Sequence, residues 1–387
     1  MPQKTTMEFE LTEEQLMIKT SASDFAQNVL KHGVIERDRD MIHPTAEVAQ
    51  MGEMLFMCMM VDTKYGGGGM DTVSYVIAME EIAKIDAATS TIMSVNNSLY
   101  CWGLEKFGTE EQKQKYLTPV ASGKVSGAFC LSEPEAGSDA TSQQTIAEDM
   151  GDYYLLNGTK NWITNGGKAQ YYLVIAQTHV EKGHKGINVL IVEKGMPGFE
   201  IGAKEDKLGI RASDTHSLLF TDVKVPKENR IGEDGFGFKF AMKTLDGGRI
   251  GIGAQALGIA QGAYELALAY SQVRKAFGTE ISSHQAIQFK LADMATNISA
   301  ARLLLYKAAW LKDQGLDYGQ AAAMGKLFAS EVAMKTTIEA VQIHGGYGYV
   351  KEYHVERMMR DAKITQIYEG TSEIHRMVIS RGLMNRK

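Results

Sequence analysis

The sequence predicts an α+β protein of three consecutive domains, helical, then β, then helical. At 387 residues the chain is longer than one hydrophobic core usually grows, so several packed units are expected. The local pattern changes from helix-like to strand-like near Gly123 and back near Phe236. The composition, 44% hydrophobic and 23% charged, is typical of a globular protein. We therefore expect domains over residues 1–122, 123–235 and 236–387.

The first third has the start and stop signals of helices. Thr12-Glu13-Glu14-Gln15 predicts a capping box, and the helix-like sequence that follows continues without a breaker to Gly33. Further helix-like segments cover Val73–Ile85 and Glu110–Ala121, with four consecutive glycines at 66–69 between the first and second helical regions. The first domain is therefore predicted to be α-helical.

The middle third is rich in short runs of β-branched and aromatic residues. The clearest runs are Tyr171–Ala176, Ile187–Val192 and Ser217–Val225, separated by Gly, Asn and Pro. Asn157-Gly158 and Asn165-Gly166 are pairs typical of tight turns at the ends of a strand. The second domain is predicted to be antiparallel β.

Long helices are predicted again in the last third. Gln285–Leu311 and Ala321–Ile343 are each long enough for several turns, and Met242–Ala269 is interpreted as one helix. Gly251–Ala256 matches a permissive dinucleotide fingerprint, but that fingerprint requires a strand-to-helix turn that meets a pyrophosphate. Glycines inside a helix instead indicate close helix contacts, so NAD is not predicted.

Composition also narrows the classes of partner and compartment. The net charge of -6 makes nucleic acid an unfavourable partner. Cys58, Cys101 and Cys130 are odd in number and widely spaced, as expected of reduced, buried thiols. Met51–Met60 is interpreted as flexible core packing rather than a soft-metal site, and no metal is predicted. Met1–Glu10 lacks an apolar export segment, and no membrane span is predicted, so a cytoplasmic location is expected.

Three segments carry residues suited to chemistry. Ala128–Asp139 combines a strand, a proline and a Gly-Ser-Asp turn, which suits a polar heterocycle or phosphate as well as a simple surface turn. Trp162 lies two residues before Thr164 in a strand, suited to a flat ring system or to core packing. Glu369 follows Ile and Tyr; it is either a solvated helix cap or an enclosed carboxylate with a raised pKa that acts as a general base.

These segments belong to a set of motifs through which nearly the whole chain resembles the acyl-CoA dehydrogenase family, especially its short-chain (butyryl-CoA) members. The motifs occur in the family's order and spacing. They are Leu131–Asp139, Trp162–Gly166, Leu245–Arg249, Arg274-x-x-Phe277-Gly278, Gln342-x-x-Gly345-Gly346-x-Gly348 and Tyr368–Thr371.

The resemblance implies the family's three-domain fold, with a β-barrel-like middle domain and a C-terminal four-helix bundle, and it implies FAD. It places one group of residues along the flavin, a second group at the FAD of a neighbouring subunit, and a third group over the cofactor. The first group is Phe129, Leu131, Ser132, Ser138, Trp162, Ile163 and Thr164; the second is Arg274, Phe277, Gln285, Gln342, Ile343, Gly345 and Gly346; the third is Thr371, Ser372 and Glu373.

The resemblance also implies the reaction. Glu369 is expected to remove the α-proton of an acyl-CoA while the flavin accepts hydride, with the thioester carbonyl held by the Glu369 N–H and a ribityl hydroxyl. The expected substrate contacts are Ser138, Asp246, Arg249, Tyr368 and Gly370. Electrons are expected to pass to an electron-transfer flavoprotein during fatty acid β-oxidation, in a homotetramer.

By the same resemblance, two positions bear on the base and on the acyl group: Gly248 leaves Glu369 as the base, and Ser90 disfavours a dicarboxylyl-CoA. Gly248 stands where some family members carry the base instead, and Ser90 stands where glutaryl-type members carry an arginine. A branched-chain dehydrogenase or an acyl-CoA oxidase would share most of these residues. A non-catalytic assembly factor is a third class, which Glu369 and the flavin-facing motifs disfavour. The sequence does not fix the acyl chain length, because pocket depth depends on helix packing.

Overall fold

The computed structural model describes residues 10–384, so residues 1–9 and 385–387 of the expected outer domains lie outside the described residues. Helices, a curled sheet and more helices follow one another along the chain, which confirms the predicted fold class.

The N-terminal part is helical throughout, as predicted. The Thr12 capping box is present, with the Thr12 hydroxyl accepting from Gln15 N–H and the Gln15 side chain accepting from Thr12 N–H. Three stretches, Ala26–Leu30, Val95–Cys101 and Lys113–Leu117, are wound as π-helix. The α-helices are α1 Glu13–Phe25, α2 Val34–Asp40, α3 Thr45–Glu53, α4 Thr72–Ala83, α5 Ala87–Ser94, α6 Trp102–Phe107, α7 Glu110–Gln112 and α8 Thr118–Ala121.

The middle part is a curled seven-stranded sheet. Its longest pairing joins β3 to β7, and β4 pairs with β5, both antiparallel. β3 also pairs with β2, and β7 with β6. The strands are β1 Gly127–Cys130, β2 Ile146–Asp149, β3 Tyr153–Thr164, β4 Tyr171–Gln177, β5 Ile187–Glu193, β6 Phe199–Lys204 and β7 Thr215–Pro226.

Two details of the predicted β domain are wrong. The sheet is not wholly antiparallel, because β1 runs parallel to β4, with Phe129 opposite Leu173. Asn157-Gly158 is not a turn but lies inside β3, where the pairing with β7 shifts register. The glycine is needed because a Cβ at Gly158 would lie 2.7 Å from the Thr145 Cα, so the pair forms a bulge at a close approach. Asn165-Gly166 does form a turn, with Asn165 at φ 63°.

The C-terminal part is a helical bundle built on one long helix. The long helix, Gly237–Val273, packs against Gln285–Asp313 and Gly319–His344. The two last helices, His354–Ile364 and Ser372–Met384, pack against Gly319–His344. Gly251 and Gly253 lie within the first helix and allow close approach, since a Cβ would lie 2.5 Å from the Tyr75 hydroxyl and 2.3 Å from Leu305 Cδ2, respectively. The elements are α9 Gly237–Val273, β8 Lys275–Ala276, β9 Thr279–Glu280, α10 Gln285–Asp313, α11 Gly319–His344, α12 His354–Ile364 and α13 Ser372–Met384.

The three parts share their hydrophobic cores. One core joins α4 and α5 to α9, α10 and α11, and a second joins the π-helix Val95–Cys101 to strands β1, β4 and β5. Cys58, Cys101 and Cys130 are all buried and unpaired, as predicted. No helix within residues 10–384 is long and apolar enough to cross a membrane, and those residues contain no cluster of potential metal ligands.

Candidate active site

Glu369 lies in the turn between α12 and α13, in a left-handed conformation. Its φ is 52°, and the following Gly370 has φ 98°. The turn is closed by backbone bonds from Tyr368 N–H to Ile364 and from Ser372 N–H to Gln366. Because a left-handed conformation is unfavourable for a residue with a Cβ, surrounding contacts must hold Glu369 in place.

The carboxylate of Glu369 is enclosed. Its Oε2 atom is buried and has no hydrogen-bond partner among the described residues. A Cβ on Gly248 would lie 2.0 Å from this oxygen and 2.7 Å from Leu99 Cδ2, so the carboxylate fills the space that Gly248 leaves open. Burial raises the pKa of Glu369, opposed by the charges of Lys326 and Arg249. A buried carboxylate with a raised pKa and a free oxygen is suited to accept a proton.

Lys326 of α11 holds the backbone on both sides of Glu369. Its Nζ atom donates to the carbonyl oxygens of Tyr368 and Gly370, each at 2.6 Å, and the residue is 0% exposed. Burial lowers the pKa of Lys326, and the charge of Glu369 opposes that change.

Arg249 and Asp246 form an ion pair one turn apart on α9. Arg249 is buried, and its Nε atom has no partner among the described residues. Asp246 borders a cavity of about 720 Å³, which is also lined by Trp102, Phe107, Lys243, Lys312 and Tyr318. The predicted substrate contacts Asp246, Arg249, Tyr368 and Gly370 are therefore found near Glu369.

A buried polar network lies further along α9. Gln255 accepts from the Tyr368 hydroxyl, and its Nε2 atom donates to Ser90 Oγ at 3.0 Å and to Thr91 Oγ1 at 2.6 Å. Gln255 and Ser90 are both 0% exposed. Since residues seven apart share a face of a helix, Gln255 lies on the same side of α9 as Gly248. The network joins α5, α9 and the turn that carries Glu369.

A buried ion pair anchors the loop after β1. Lys160 of β3 donates to Glu133 at 2.6 Å, to Gln143 Oε1 at 2.5 Å and to the carbonyl of Leu131 at 3.1 Å. Glu133 also accepts from the backbone N–H groups of Gln144 and Thr145. The loop therefore has a fixed path, with Phe129 and Leu131 buried, Ser132 half-buried and Ser138 exposed.

A bulge in β3 turns Trp162 outward. The pairing of β3 with β7 shifts between Lys160 and Ile163, and Trp162 has φ 58°. Its side chain is 57% exposed, whereas Ile163 is 2% exposed and Thr164 is half-buried. The alternative that Trp162 packs in the core is therefore wrong for this chain.

The predicted neighbouring-subunit residues gather at one end of the bundle. Arg274 lies over the Tyr347 ring, 5.6 Å from its centroid, and lines a cavity of about 520 Å³ with Ile343, Gly345 and Gly346. Phe277 is 97% exposed, and Gln285 and Gln342 are exposed at the start of α10 and near the end of α11. Ile343 is buried in the hydrophobic core, whereas Phe277, Gln285 and Gln342 leave their side chains exposed.

The start of α13 adds polar groups. Thr371 Oγ1 accepts from Ile374 N–H, Ser372 is buried with its Oγ unpartnered among residues 10–384, and Glu373 is exposed. An exposed indole at Trp162, an unpartnered buried Asn165 Oδ1 near it in sequence, and this hydroxyl suit a large ring system with polar edges. The residues present fit a flavin.

Sequence reasoning missed several residues that shape the site. Lys326, Gln255, Leu99 and the Lys160–Glu133 pair all hold or face residues that were predicted. Glu133 lies within the Leu131–Asp139 motif, but its pairing with Lys160 was not predicted. Lys326, Gln255, Leu99 and Lys160 lie in helices or a strand and acquire these roles through tertiary contacts.

Comparison with known proteins gives consistent results along the chain. Family models match residues 12–124 (acyl-CoA dehydrogenase, N-terminal domain), 128–223 (middle domain) and 235–384 (C-terminal domain). The chain is 51% identical over 374 residues to a short-chain specific acyl-CoA dehydrogenase of Clostridium acetobutylicum, covering 97% of this chain and 99% of that one.

Two solved structures have nearly the same fold. Butyryl-CoA dehydrogenase from Megasphaera elsdenii matches with a TM-score of 0.96 at 50% identity, covering 98% of this chain and 100% of that one. A chain from a structure described as the electron transferring flavoprotein of Acidaminococcus fermentans matches with a TM-score of 0.97 at 54% identity, with the same coverage. The chain therefore belongs to the acyl-CoA dehydrogenase family.

Proposed function

We propose that this chain is an FAD-dependent short-chain acyl-CoA dehydrogenase that converts a butyryl-CoA-like substrate to the trans-2-enoyl-CoA. The observation that carries the proposal is the buried Glu369 carboxylate beside Gly248, whose Oε2 atom has no hydrogen-bond partner within residues 10–384. Family membership and about 50% identity to short-chain specific relatives support the same reaction.

Glu369 is the catalytic base in this proposal. An α-proton next to a thioester is weakly acidic, so its removal needs a carboxylate of raised pKa and a polarised carbonyl. The Glu369 Oε2 atom receives the proton, and the backbone N–H of Glu369 donates to the thioester oxygen. Bound flavin supplies the acceptor for the hydride that leaves the β-carbon.

Cofactor and substrate are assigned to the predicted residues. The loop and bulge residues 129–138 and 162–164 line FAD from one subunit, and the start of α13 lies over it. Arg274, Phe277, Gln285 and residues 342–346 reach the FAD of a neighbouring subunit. Ser138, Asp246, Arg249, Tyr368 and Gly370 contact the acyl-CoA.

The polar network at Gln255 supports a short acyl chain. Gln255, Ser90 and Tyr368 fill the space between α5 and α9 beyond Glu369, so a longer chain would have to displace a hydrogen-bonded network. Ser90 is uncharged and already bonded, so the second carboxylate of a glutaryl group would be desolvated without an ionic partner at this position.

The wider setting follows from the same assignment. Reduced flavin passes its electrons to an electron-transfer flavoprotein, and the enzyme works in fatty acid β-oxidation as a homotetramer, a dimer of dimers. We place it in the cytoplasm. We also propose domain boundaries at 122/123 and 235/236, close to the ends of the three family matches.

The proposed base is tested with Glu369→Gln. The amide keeps the shape but cannot accept the proton, so bleaching of the flavin by butyryl-CoA under anaerobic conditions should slow by about 10²-fold to 10⁴-fold or more. FAD content and acyl-CoA binding, measured from the flavin spectrum, should stay parental. Bleaching at the parental rate would place the base elsewhere.

Substrate and acceptor are tested with a series of acyl-CoA esters. Butyryl-CoA should give the highest kcat/KM from propionyl-CoA to octanoyl-CoA, with glutaryl-CoA poor. One methylene changes transition-state binding by only about 1–3 kcal/mol, so neighbouring lengths should still react. Ferrocenium reduction without hydrogen peroxide separates a dehydrogenase from an oxidase; higher activity on octanoyl-CoA or glutaryl-CoA would contradict the short-chain assignment.

A further inference from the structure

Lys326 makes contacts that a lysine required only for packing would not need. The residue is 0% exposed on α11, and its Nζ atom donates at 2.6 Å to each of the carbonyls of Tyr368 and Gly370. These are the residues immediately before and after Glu369. Its three N–H donors therefore hold the turn at two points, with the left-handed residue between them.

The first of these bonds also fixes a donor. The carbonyl of Tyr368 and the N–H of Glu369 belong to one peptide group, which is planar and resists rotation. In a trans peptide the two point in opposite directions, so a hydrogen bond that fixes the carbonyl also fixes where the N–H points. The second bond, to Gly370, limits rotation on the other side of Glu369 and so restricts its side-chain position.

Among the ionisable groups that residues 10–384 place around Glu369, only two carry a positive charge that faces it. Arg249 on α9 is paired with Asp246. His375 on α13 is buried, and burial lowers its pKa to about 3, so it stays neutral. Burial raises the pKa values of Tyr75 on α4 and of Tyr368, which therefore also stay neutral. The positive charges facing Glu369 are those of Lys326 and Arg249.

We propose that Lys326 is a positioning residue for the reaction, holding Glu369 in its left-handed conformation and aiming both its carboxylate and its N–H through the Tyr368 and Gly370 carbonyls. This rests on the role of Glu369 proposed above. The Lys326 charge also favours the ionised form of the base. Loss of Lys326 should therefore have two effects. The turn would be held less firmly, which lowers the rate at every pH, and the pKa of Glu369 would rise, which changes only the pH dependence of the rate.

The test compares Lys326→Met, which removes donors and charge, with Lys326→Gln, which removes the charge but keeps an N–H donor. The rate of flavin bleaching by butyryl-CoA is measured against pH and substrate concentration. In Lys326→Met the limiting rate should fall about tenfold or more with little change in KM, because a misplaced reacting group costs rate. In both variants the acidic limb should move up by about one pH unit or more, because loss of a nearby cation raises the pKa of a base that must be ionised.

Lys84→Met is the matched control. Lys84 is also largely buried, with its side chain 13% exposed, and pairs with Glu81 and Glu265. Its carbonyl faces Gly262 of α9, which lies about 21 Å along the helix axis from Gly248 at 1.5 Å per residue. Its loss should change thermal stability but neither the limiting rate nor the acidic limb.

The outcomes separate the two proposals. A parental limiting rate and parental acidic limb in Lys326→Met would overturn the role of Lys326. If Lys326→Met fails to fold, an unshifted limb in Lys326→Gln overturns it instead. Failure of the proposed function would appear in the parent protein, as no bleaching by any acyl-CoA, or as full bleaching by Glu369→Gln.

Discussion

At the scale of single residues, Gly248 controls where the proposed base can lie. A Cβ there would lie 2.0 Å from Glu369 Oε2, the far end of a flexible side chain, so Gly248→Ala should fold with its carboxylate displaced. Since misplacing a reacting group by about 1 Å can cost 10²-fold in rate, flavin reduction by butyryl-CoA should slow by roughly that factor. Stopped-flow absorbance measures it.

Gly247→Ala is the control for this change. Its new Cβ would come no closer than 3.8 Å to the nearest atom, Lys312 Nζ, and both substitutions replace a glycine within α9 by a better helix former. The melting temperatures should be similar, while only Gly248→Ala loses most of its rate. Equal rates would show that the enclosure of Glu369 by Gly248 is unimportant.

Gln255 is expected to limit chain length. Gln255→Ala removes a side chain that bonds Tyr368, Ser90 and Thr91, which opens space along α9 and leaves polar groups unpartnered. The ratio of kcat/KM for hexanoyl-CoA to butyryl-CoA should rise about tenfold, since a methylene is worth about 1–3 kcal/mol. Stability should fall by about 1–3 kcal/mol.

Gln261→Ala is the companion variant for Gln255. Gln261 is on the same helix but bonds Glu265 and Arg302, away from the turn that carries Glu369. It should leave the chain-length ratio unchanged. If Gln255→Ala kept the parental ratio of kcat/KM for hexanoyl-CoA to butyryl-CoA, the polar network would not be what limits acyl chain length.

Residue identity was predictable where a motif carried it, and not where tertiary contacts did. Glu369 and Trp162 stand in recognisable segments. Glu369 is enclosed, which is one of the two environments considered for it, and Trp162 is exposed rather than packed in the core. Lys326 is one of many helical lysines, and only the fold shows that it meets the two carbonyls beside Glu369. Hydrogen bonds between distant segments leave no local pattern in a sequence.

At the scale of elements, the Lys160–Glu133 pair joins β3 to the loop after β1. Lys160→Met leaves Glu133 buried without its cation, which should cost about 3–5 kcal/mol of unfolding free energy and loosen the loop. FAD should dissociate more readily, and the ratio of flavin absorbance to protein absorbance after gel filtration measures this. Chemical denaturation measures the stability.

Lys227→Met provides the comparison. Lys227 forms a partly exposed pair with Asp149, a kind of pair that contributes about 1 kcal/mol or less. It should retain FAD and nearly all stability. If Lys160→Met behaved like Lys227→Met, the buried pair would not be what holds the loop.

The positions of helices and strands were predictable where the spacing of apolar residues agreed with the capping and turn residues. The capping box at Thr12, the helices α10 and α11, and strands β4, β5 and β7 all appear where the pattern placed them. The turn expected at Asn157-Gly158 was wrong because that sequence suits a bulge as well, and the choice depends on the approach of Thr145. The parallel pairing of β1 with β4 also depends on the path of the intervening chain, which local composition does not specify.

At the scale of the whole molecule, flavin binding should depend on assembly. Arg274, Phe277 and Gly345–Gly346 lie at an exposed end of the bundle, and we assign them to the FAD of another subunit. Phe277→Asp should therefore yield smaller species that lose FAD, seen by mass photometry together with flavin absorbance. Val180→Asp, at another exposed apolar residue 65% accessible, should stay tetrameric and yellow.

A flavin-replete monomer would contradict the assignment of these residues to a shared site. Loss of flavin without any change in size would show that Phe277 is needed for FAD binding but not for holding the subunits together. If Phe277→Asp kept the parental size and flavin content, Phe277 would be needed neither for assembly nor for FAD binding.

The left-handed residues have a consequence for engineering heat resistance. Within residues 10–384, positive φ angles are adopted by the non-glycine residues Met41, Leu55, Trp162, Asn165, Ile210, Asp222, Phe277 and Glu369. Replacing such a residue by glycine relieves roughly 1–2 kcal/mol of backbone strain, so a redesign guided by backbone geometry would select all of them. Met41 lies outside the proposed site and is open to that treatment, whereas Leu55 packs against a hydrophobic core and would lose that packing. At Trp162, Phe277 and Glu369 the same substitution would relieve backbone strain but would also remove a side chain that we assign to the proposed active site, so stability would rise while activity would be lost.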